Sequence, residues 1–242
     1  MVLLTAIALM TISFPVNAQE SQQTLALQHL QAGQRALHVE RWEEAEREFK
    51  EALQLDPLLE LGHYGLGQAY MGQKRHAEAV QAYRRCREVF FANARDRLAN
   101  DVEAERRLDD QILSLRDYKR SLESGRQRTY NTGATINRLD SEIAQLENAR
   151  HKDPSAAPQT PPYISTALGS ALFRTGAFPE AEQEWRNAVA VDPSIGEVHN
   201  NLAVVCMLTG RLDEAEREVK LAEKNGFKVS ERFKQDLKER KK

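Results

Sequence analysis

Four Glu-Ala pairs recur at a fixed interval, and that interval constrains the fold more than any other feature of the chain. Glu44-Ala45, Glu78-Ala79, Glu180-Ala181 and Glu214-Ala215 each open an amphipathic stretch; alanines 45 and 79 are 34 residues apart, as are 181 and 215. The same frame of small and large residues surrounds each alanine. It reads Ala32-Gly33, Ala36, Ala45, Phe49, Ala52, Pro57 in the first copy and Leu66-Gly67, Tyr70, Ala79, Tyr83, Cys86 in the second. The third copy gives Leu168-Gly169, Leu172, Ala181, Trp185, Ala188, Pro193, and the fourth Leu202-Ala203, Cys206, Ala215, Val219, Ala222. Self-similarity at such a period signals stacked helix pairs that bury a shared core. Glycine or alanine on a first helix admits the second helix closely, an aromatic ring fills the remaining gap, and Pro57 or Pro193 ends the second helix. Gly176 and Gly210 suit the left-handed residue that closes a first helix.

On these residues the chain resembles the tetratricopeptide repeat family, over residues 26–91 and 162–227. The resemblance implies an all-α solenoid of helix-turn-helix repeats, in which the first helix of each pair lines a concave groove for an extended peptide or a partner helix. Carried onto this sequence, the groove-facing positions are Leu30 and Gln34, Tyr64 and Gln68, Thr166 and Ser170, and Asn200 and Val204. These side chains are uncharged, and the Lys, Arg and Asn combination with which some members grip a terminal carboxylate is absent. Amides, hydroxyls and apolar surface suit instead the backbone and small side-chain pockets of an extended segment. The competing reading is that four repeats interrupted in the middle make no continuous groove. Two departures from the family pattern stand out. The usual tryptophan slot holds His29, His63, Ser165 and His199, and Phe91 and Phe227 replace the closing prolines of copies two and four.

The interval from His63 to Ser165 is 102 residues, three times 34, yet no further repeats lie within it. Continuing the frame places Asn100-Asp101, Asp117, Glu147 and His151 at core slots, which cannot pack. Residues 92–150 read instead as an antiparallel, coiled-coil-like helical hairpin. Without a proline at Phe91, the second helix of copy two is expected to run on, with Leu98, Val102, Leu108, Ile112, Leu115 and Leu122 as one apolar stripe. Gly125 and Gly133 mark a break, after which Ile136, Leu139, Ile143 and Leu146 supply the facing stripe. Between Arg95 and Arg150 the other positions carry 11 basic and 11 acidic residues, a balanced outside for a narrow seam. The hairpin is either a spacer whose stripes satisfy each other or a surface that drives self-association. Residues 151–161 are a proline-rich linker. Residues 228–242 combine Val229, Phe233 and Leu237 at four-residue spacing with a basic tail, as a capping helix requires.

Residues 1–18 form a leader-like segment: an apolar run from Val2 to Phe14, then Pro15 and Val16-Asn17-Ala18, with a cut expected after Ala18. A run of 13 residues falls short of the roughly 20 needed to span a bilayer, and no Lys or Arg precedes Arg35. The chain is therefore expected to be periplasmic or secreted, with no integral membrane span. Its two cysteines, Cys86 and Cys206, exclude a disulfide-stapled fold and fall at small core slots, although one bridge is chemically permitted. A net charge of −2 gives no footprint for nucleic acid. His29, His63 and His199 have no carboxylate or cysteine at ligand spacing, so packed or rim histidines are expected rather than a metal site, and no cofactor. No phosphate-binding loop, zinc-protease motif or nucleophile elbow occurs, so the expected function is a non-enzymatic scaffold or adaptor of the cell envelope with a protein or peptide partner. The alternative is a structural protein that self-associates through its hairpin.

Overall fold

A computed structural model describes residues 16–125, 132–149 and 158–241. Most of the leader-like segment, residues 126–131 of the hairpin break and residues 150–157 of the proline-rich linker lie outside the described residues, as does Lys242. The described residues contain ten helices and no strand: α1 (Val16–His38), α2 (Trp42–Leu55), α3 (Glu60–Gly72), α4 (His76–Glu123), α5 (Thr132–Ala149), α6 (Pro162–Arg174), α7 (Phe178–Val191), α8 (Gly196–Leu208), α9 (Leu212–Lys224) and α10 (Glu231–Arg240). The expected cut after Ala18 falls in the first turn of α1. None of the described helices is long and apolar enough to cross a membrane. The chain divides into two compact units, residues 1–90 with 160–242 and residues 91–159, so α4 contributes to both.

In the first unit the repeat frame accounts for the packing. Ala45, Ala79, Ala181 and Ala215 are each fully buried, and Phe49, Tyr83, Trp185 and Val219 fill the gap between the two helices of their copies. A Cβ on Gly67 would sit 2.5 Å from the Tyr83 ring, and one on Gly169 would sit 2.7 Å from Trp185 Nε1, so both ring contacts require glycine on the facing helix. Each first helix ends on a left-handed residue at the same frame position, with φ of 57° at Glu40, 60° at Lys74, 85° at Gly176 and 77° at Gly210. The next amide then bonds back across the last turn, as in Ala177 N–H to Leu172 O at 3.0 Å and Arg75 N–H to Tyr70 O at 2.9 Å.

The two repeat pairs share one core. Tyr70, Ala79, Val80 and Tyr83 cluster with Leu168, Leu172, Ala181 and Trp185. Arg84 reaches Glu180 at 2.9 Å and Arg87 reaches Glu184 at 2.6 Å across the same junction. Residues far apart in sequence thus stack as neighbours, and the insertion leaves the solenoid continuous. At the C-terminal end Val229 and Leu237 are buried with Ala203, Cys206 and Val219, and Phe233 packs against them, so α10 covers the apolar edge of the fourth repeat.

The second unit is an antiparallel helical hairpin. Ile112 and Leu122 of α4 and Leu139 and Ile143 of α5 are buried, and Arg116 to Glu147 (2.5 Å) and Lys119 to Asp140 (2.6 Å) tie the two helices. The expectation of one stripe from Leu98 to Leu122 requires correction. Leu98 and Val102 are 38% and 54% exposed. The cause is geometric: α5 is 18 residues long and pairs with the distal part of α4, and at about 100° per residue Leu98 and Val102 lie roughly a third of a turn from the stripe that faces it.

Candidate functional site

The first unit carries a cleft of about 800 Å³, lined by Tyr64, Gln68 and Met71 of α3, Tyr163, Thr166 and Ser170 of α6, and Glu197 of α8, with Trp42 and Tyr83 contributing from second helices. A second hollow of about 300 Å³ adjoins it and is lined by Phe173, Arg174, Trp185, Asn201 and Val204. Met71, Ser170 and Glu197 border both, which makes one surface across the second, third and fourth repeats.

An aromatic trio forms one wall. Tyr64 packs on Tyr163 edge to face at 5.1 Å and 84°, and on Tyr83 at 5.6 Å and 52°. Burial pushes all three phenols above the ordinary tyrosine value, so each is a neutral hydroxyl at physiological pH. The Tyr163 hydroxyl donates to the Glu60 carboxylate, which fixes the outermost ring. On the floor, Trp185 Nε1 donates to Thr166 O at 3.3 Å through the gap that Gly169 leaves, and the Ser170 hydroxyl donates to the same carbonyl at 2.9 Å. Thr166 Oγ1 is buried and makes no hydrogen bond within the protein. Glu197 is the one charged side chain in the larger hollow.

Of the eight positions assigned to the groove from sequence, Tyr64, Gln68, Thr166 and Ser170 line the larger hollow, and Ser170 and Val204 line the smaller one. Gln34 is exposed and Asn200 half-buried, and neither borders either hollow. Leu30 needs correction: it is 5% exposed and belongs to the core cluster that contains Phe49 and Ala69, because an apolar side chain at this frame position packs inward. Sequence reasoning missed Met71, Tyr163, Ala167, Phe173, Glu197 and Asn201, all of them on first helices. Extending each chosen pair by three or four residues along the helix would have found them.

A third hollow, between α9 and α10 and about 920 Å³, is lined chiefly by Lys and Glu that pair with one another, as Lys234 does with Glu223 at 2.8 Å and Lys241 with Glu216 at 2.6 Å. It reads as a solvated seam. Each histidine in the tryptophan slot bonds to its surroundings. His29 Nδ1 contacts Glu48 at 2.8 Å, His63 Nε2 contacts Pro57 O at 2.9 Å, and His199 contacts Glu218 at 2.7 Å and Pro193 O at 3.0 Å. Among the described residues one group of metal-ligand types converges, Glu182, Cys206 and Glu214. Its carboxylates are already held by cations: Arg211 reaches Glu182 at 2.5 Å and Glu214 at 3.2 Å, and Arg186 contacts both acids. Burial pushes the Cys206 thiol up to about 11, against thiolate formation. The set is an ion-pair clamp between repeats three and four. It has a counterpart between repeats one and two, where Glu46 takes Arg75 at 2.9 Å and Lys50 at 2.7 Å. Cys86 and Cys206 are free and buried in their frame slots.

A family model described as tetratricopeptide repeat matches residues 30–88 and 166–226. No curated protein matches the chain. Solved structures similar to it include PilF from Pseudomonas aeruginosa, at 15% identity, covering 91% of this chain and 88% of that one with a TM-score of 0.36. PilW, described as a widely conserved type IV pilus biogenesis factor, is similar at 15% identity, 93% and 87% coverage and a TM-score of 0.41. YrrB, described as a TPR protein with an unusual peptide-binding site, is similar at 14% identity, 92% and 96% coverage and a TM-score of 0.31.

Proposed function

Because the chain belongs to the tetratricopeptide repeat family, whose members are protein–protein interaction modules, we propose that it is a non-enzymatic adaptor that holds an extended segment of a partner protein in its concave cleft. The observation that carries this reading is the composition of the cleft. Aromatic rings and Met71 form an apolar wall, and Gln68, Thr166 and Ser170 place amide and hydroxyl groups along its floor. Such a surface takes an apolar or aromatic side chain against the rings while polar groups bond the segment's backbone. Thr166 Oγ1, buried and without a partner in the fold, is a hydrogen-bonding group that a bound backbone would satisfy. Glu197 at the edge favours a Lys or Arg in the segment over an acid, and the cleft holds no cluster of cations for a terminal carboxylate. The leader-like residues 1–18 support a periplasmic or secreted adaptor of the cell envelope.

The test is selection of a displayed peptide library on the full chain, followed by affinity measurement on the wild type and on Ser170→Arg, which fills the point where the two hollows meet. Selected peptides should lose about tenfold or more in affinity for the variant, the scale of a buried contact at the centre of an interface. Equal binding to both proteins would place the recognition surface elsewhere.

A further inference from the structure

Between the first two repeats a cation lies between a tyrosine ring and a glutamate. The Arg75 guanidinium sits over the Tyr70 ring at 4.4 Å and bonds Glu46 at 2.9 Å. Lys50 takes the same carboxylate at 2.7 Å, with its ammonium 5.9 Å from the same ring. The negative face of the ring and the carboxylate attract the cation together.

The cleft of about 800 Å³ sets out the same partners without the cation. Tyr64 and Tyr163 pack edge to face at 5.1 Å, and Glu197, in the first turn of α8, lines the hollow with them. Glu197 is exposed, and among the described residues it makes no hydrogen bond or ion pair. No Lys or Arg lines this hollow; Arg174 borders only the smaller one and makes no ion pair with Glu197. Glu46, Glu182 and Glu214, by contrast, are each held by arginine. Two further features make the wall attractive to positive charge. Tyr163 donates its hydroxyl to the Glu60 carboxylate, which polarises the outer ring toward the negative. Burial first, then Cys86 and Glu197, pushes the Tyr64 phenol up, so the charge of Glu197 reaches that ring.

Resting on the cleft as the seat of an extended partner segment, we infer that it selects a basic side chain of that segment, arginine before lysine, held between the Tyr64 and Tyr163 rings and Glu197. The aliphatic stem covers the apolar wall while the cation meets a ring face and the carboxylate. A planar guanidinium stacks on a ring and still turns N–H groups to a carboxylate, as Arg75 does, whereas an ammonium is more strongly hydrated. A purely apolar side chain would fill the wall and leave Glu197 unpaired, and an acidic one would be repelled by it.

Affinities of library-selected peptides for the full chain and its variants test the inference, each peptide being made also with alanine, lysine or glutamate in place of its basic residue. Peptides that bind Ser170→Arg poorly should carry an arginine whose change to alanine costs about tenfold and to lysine about threefold. Glu197→Gln should weaken the arginine peptide about fivefold and leave the alanine peptide unchanged. Glu197→Arg should favour the glutamate peptide over the arginine peptide. Tyr163→Leu, at a 39%-exposed site, keeps an apolar contact without a ring face and should weaken the arginine peptide about threefold. Peptides that lose affinity for Ser170→Arg yet carry no basic residue, or ignore Glu197→Gln, overturn the inference and leave the cleft as the seat of the segment. Peptides indifferent to Ser170→Arg overturn both, as does a library that yields no binder.

Discussion

The repeat unit and the hairpin are both all-helical, but they are held together differently. In the repeats, small residues and rings interlock at fixed positions: four alanines of the frame are fully buried, and Phe49 and Trp185 sit against glycines that a Cβ would crowd. In the hairpin a narrow seam of Ile112, Leu122, Leu139 and Ile143 is buried, bordered by exposed ion pairs, and large apolar side chains remain outside. Interlocked packing specifies one neighbour for each helix, whereas a narrow seam specifies a pairing and leaves the rest of the helix surface open to other contacts.

The largest loss of stability is expected in the repeats. Trp185→Ala removes a 2%-exposed ring and should cost about 3–5 kcal/mol in chemical denaturation. It should also remove the floor of the cleft. A loss as small as that of a surface substitution would contradict interlocked packing. Ile143→Ala in the hairpin should cost about 2 kcal/mol, near the lower end for such truncations, because Ile143 keeps 8% exposure in a two-helix seam. Hydrogen exchange should show the loss in residues 132–149 while the repeats keep their protection. Loss of protection across all four repeats would mean that the two units are one cooperative structure.

Acid should weaken the repeats next. Hydrogen bonds from Arg211, and then from Arg186, hold the Glu182 carboxyl at about 2 against the burial that raises it. Glu46 is likewise held at about 2, where bonds from Lys50, Gln73 and Arg75 outweigh an opposing burial effect. An unfolded glutamate titrates at about 4.3, so the stability these clamps contribute is complete above that pH and drains as pH falls toward 2. Thermal melts of the repeats should show this acid limb, and Glu182→Gln should flatten it. An unchanged slope in the variant would remove the clamp from the account. The smallest effect concerns the helix ends. Lys74 occupies a left-handed position where the third and fourth repeats carry glycine, and Lys74→Gly should raise stability by up to about 1 kcal/mol. Destabilisation of the variant would show that the flexibility of an unfolded glycine outweighs the strain.

Much of the repeat unit was legible because its packing rules are local. A buried alanine, a ring four residues later and a glycine on the preceding helix leave a periodic trace that needs no tertiary information. The left-handed caps were legible at Gly176 and Gly210 but not at Glu40 and Lys74, whose side chains give no sign of the conformation that the stack imposes. The cleft was half legible. Tyr64, Gln68, Thr166 and Ser170 follow from helix register, whereas Trp42 and Tyr83 enter from second helices, and only the folded stack brings them there. Leu30 occupies a groove position yet turns inward, since packing against neighbours decides a leucine more than frame number does. In the hairpin, three-and-four spacing merged two faces of one helix. The length of α5 and the angular offset separate Leu98 and Val102 from the seam, and neither is visible in spacing alone.

Hydrogen exchange of the full chain with and without a library-selected peptide asks whether the cleft is where a partner segment is held. Protection should rise in α3, α6 and α8, around Gln68, Thr166 and Asn201, with the hairpin unchanged. Protection confined to residues 91–149 or to α10 would contradict that placement.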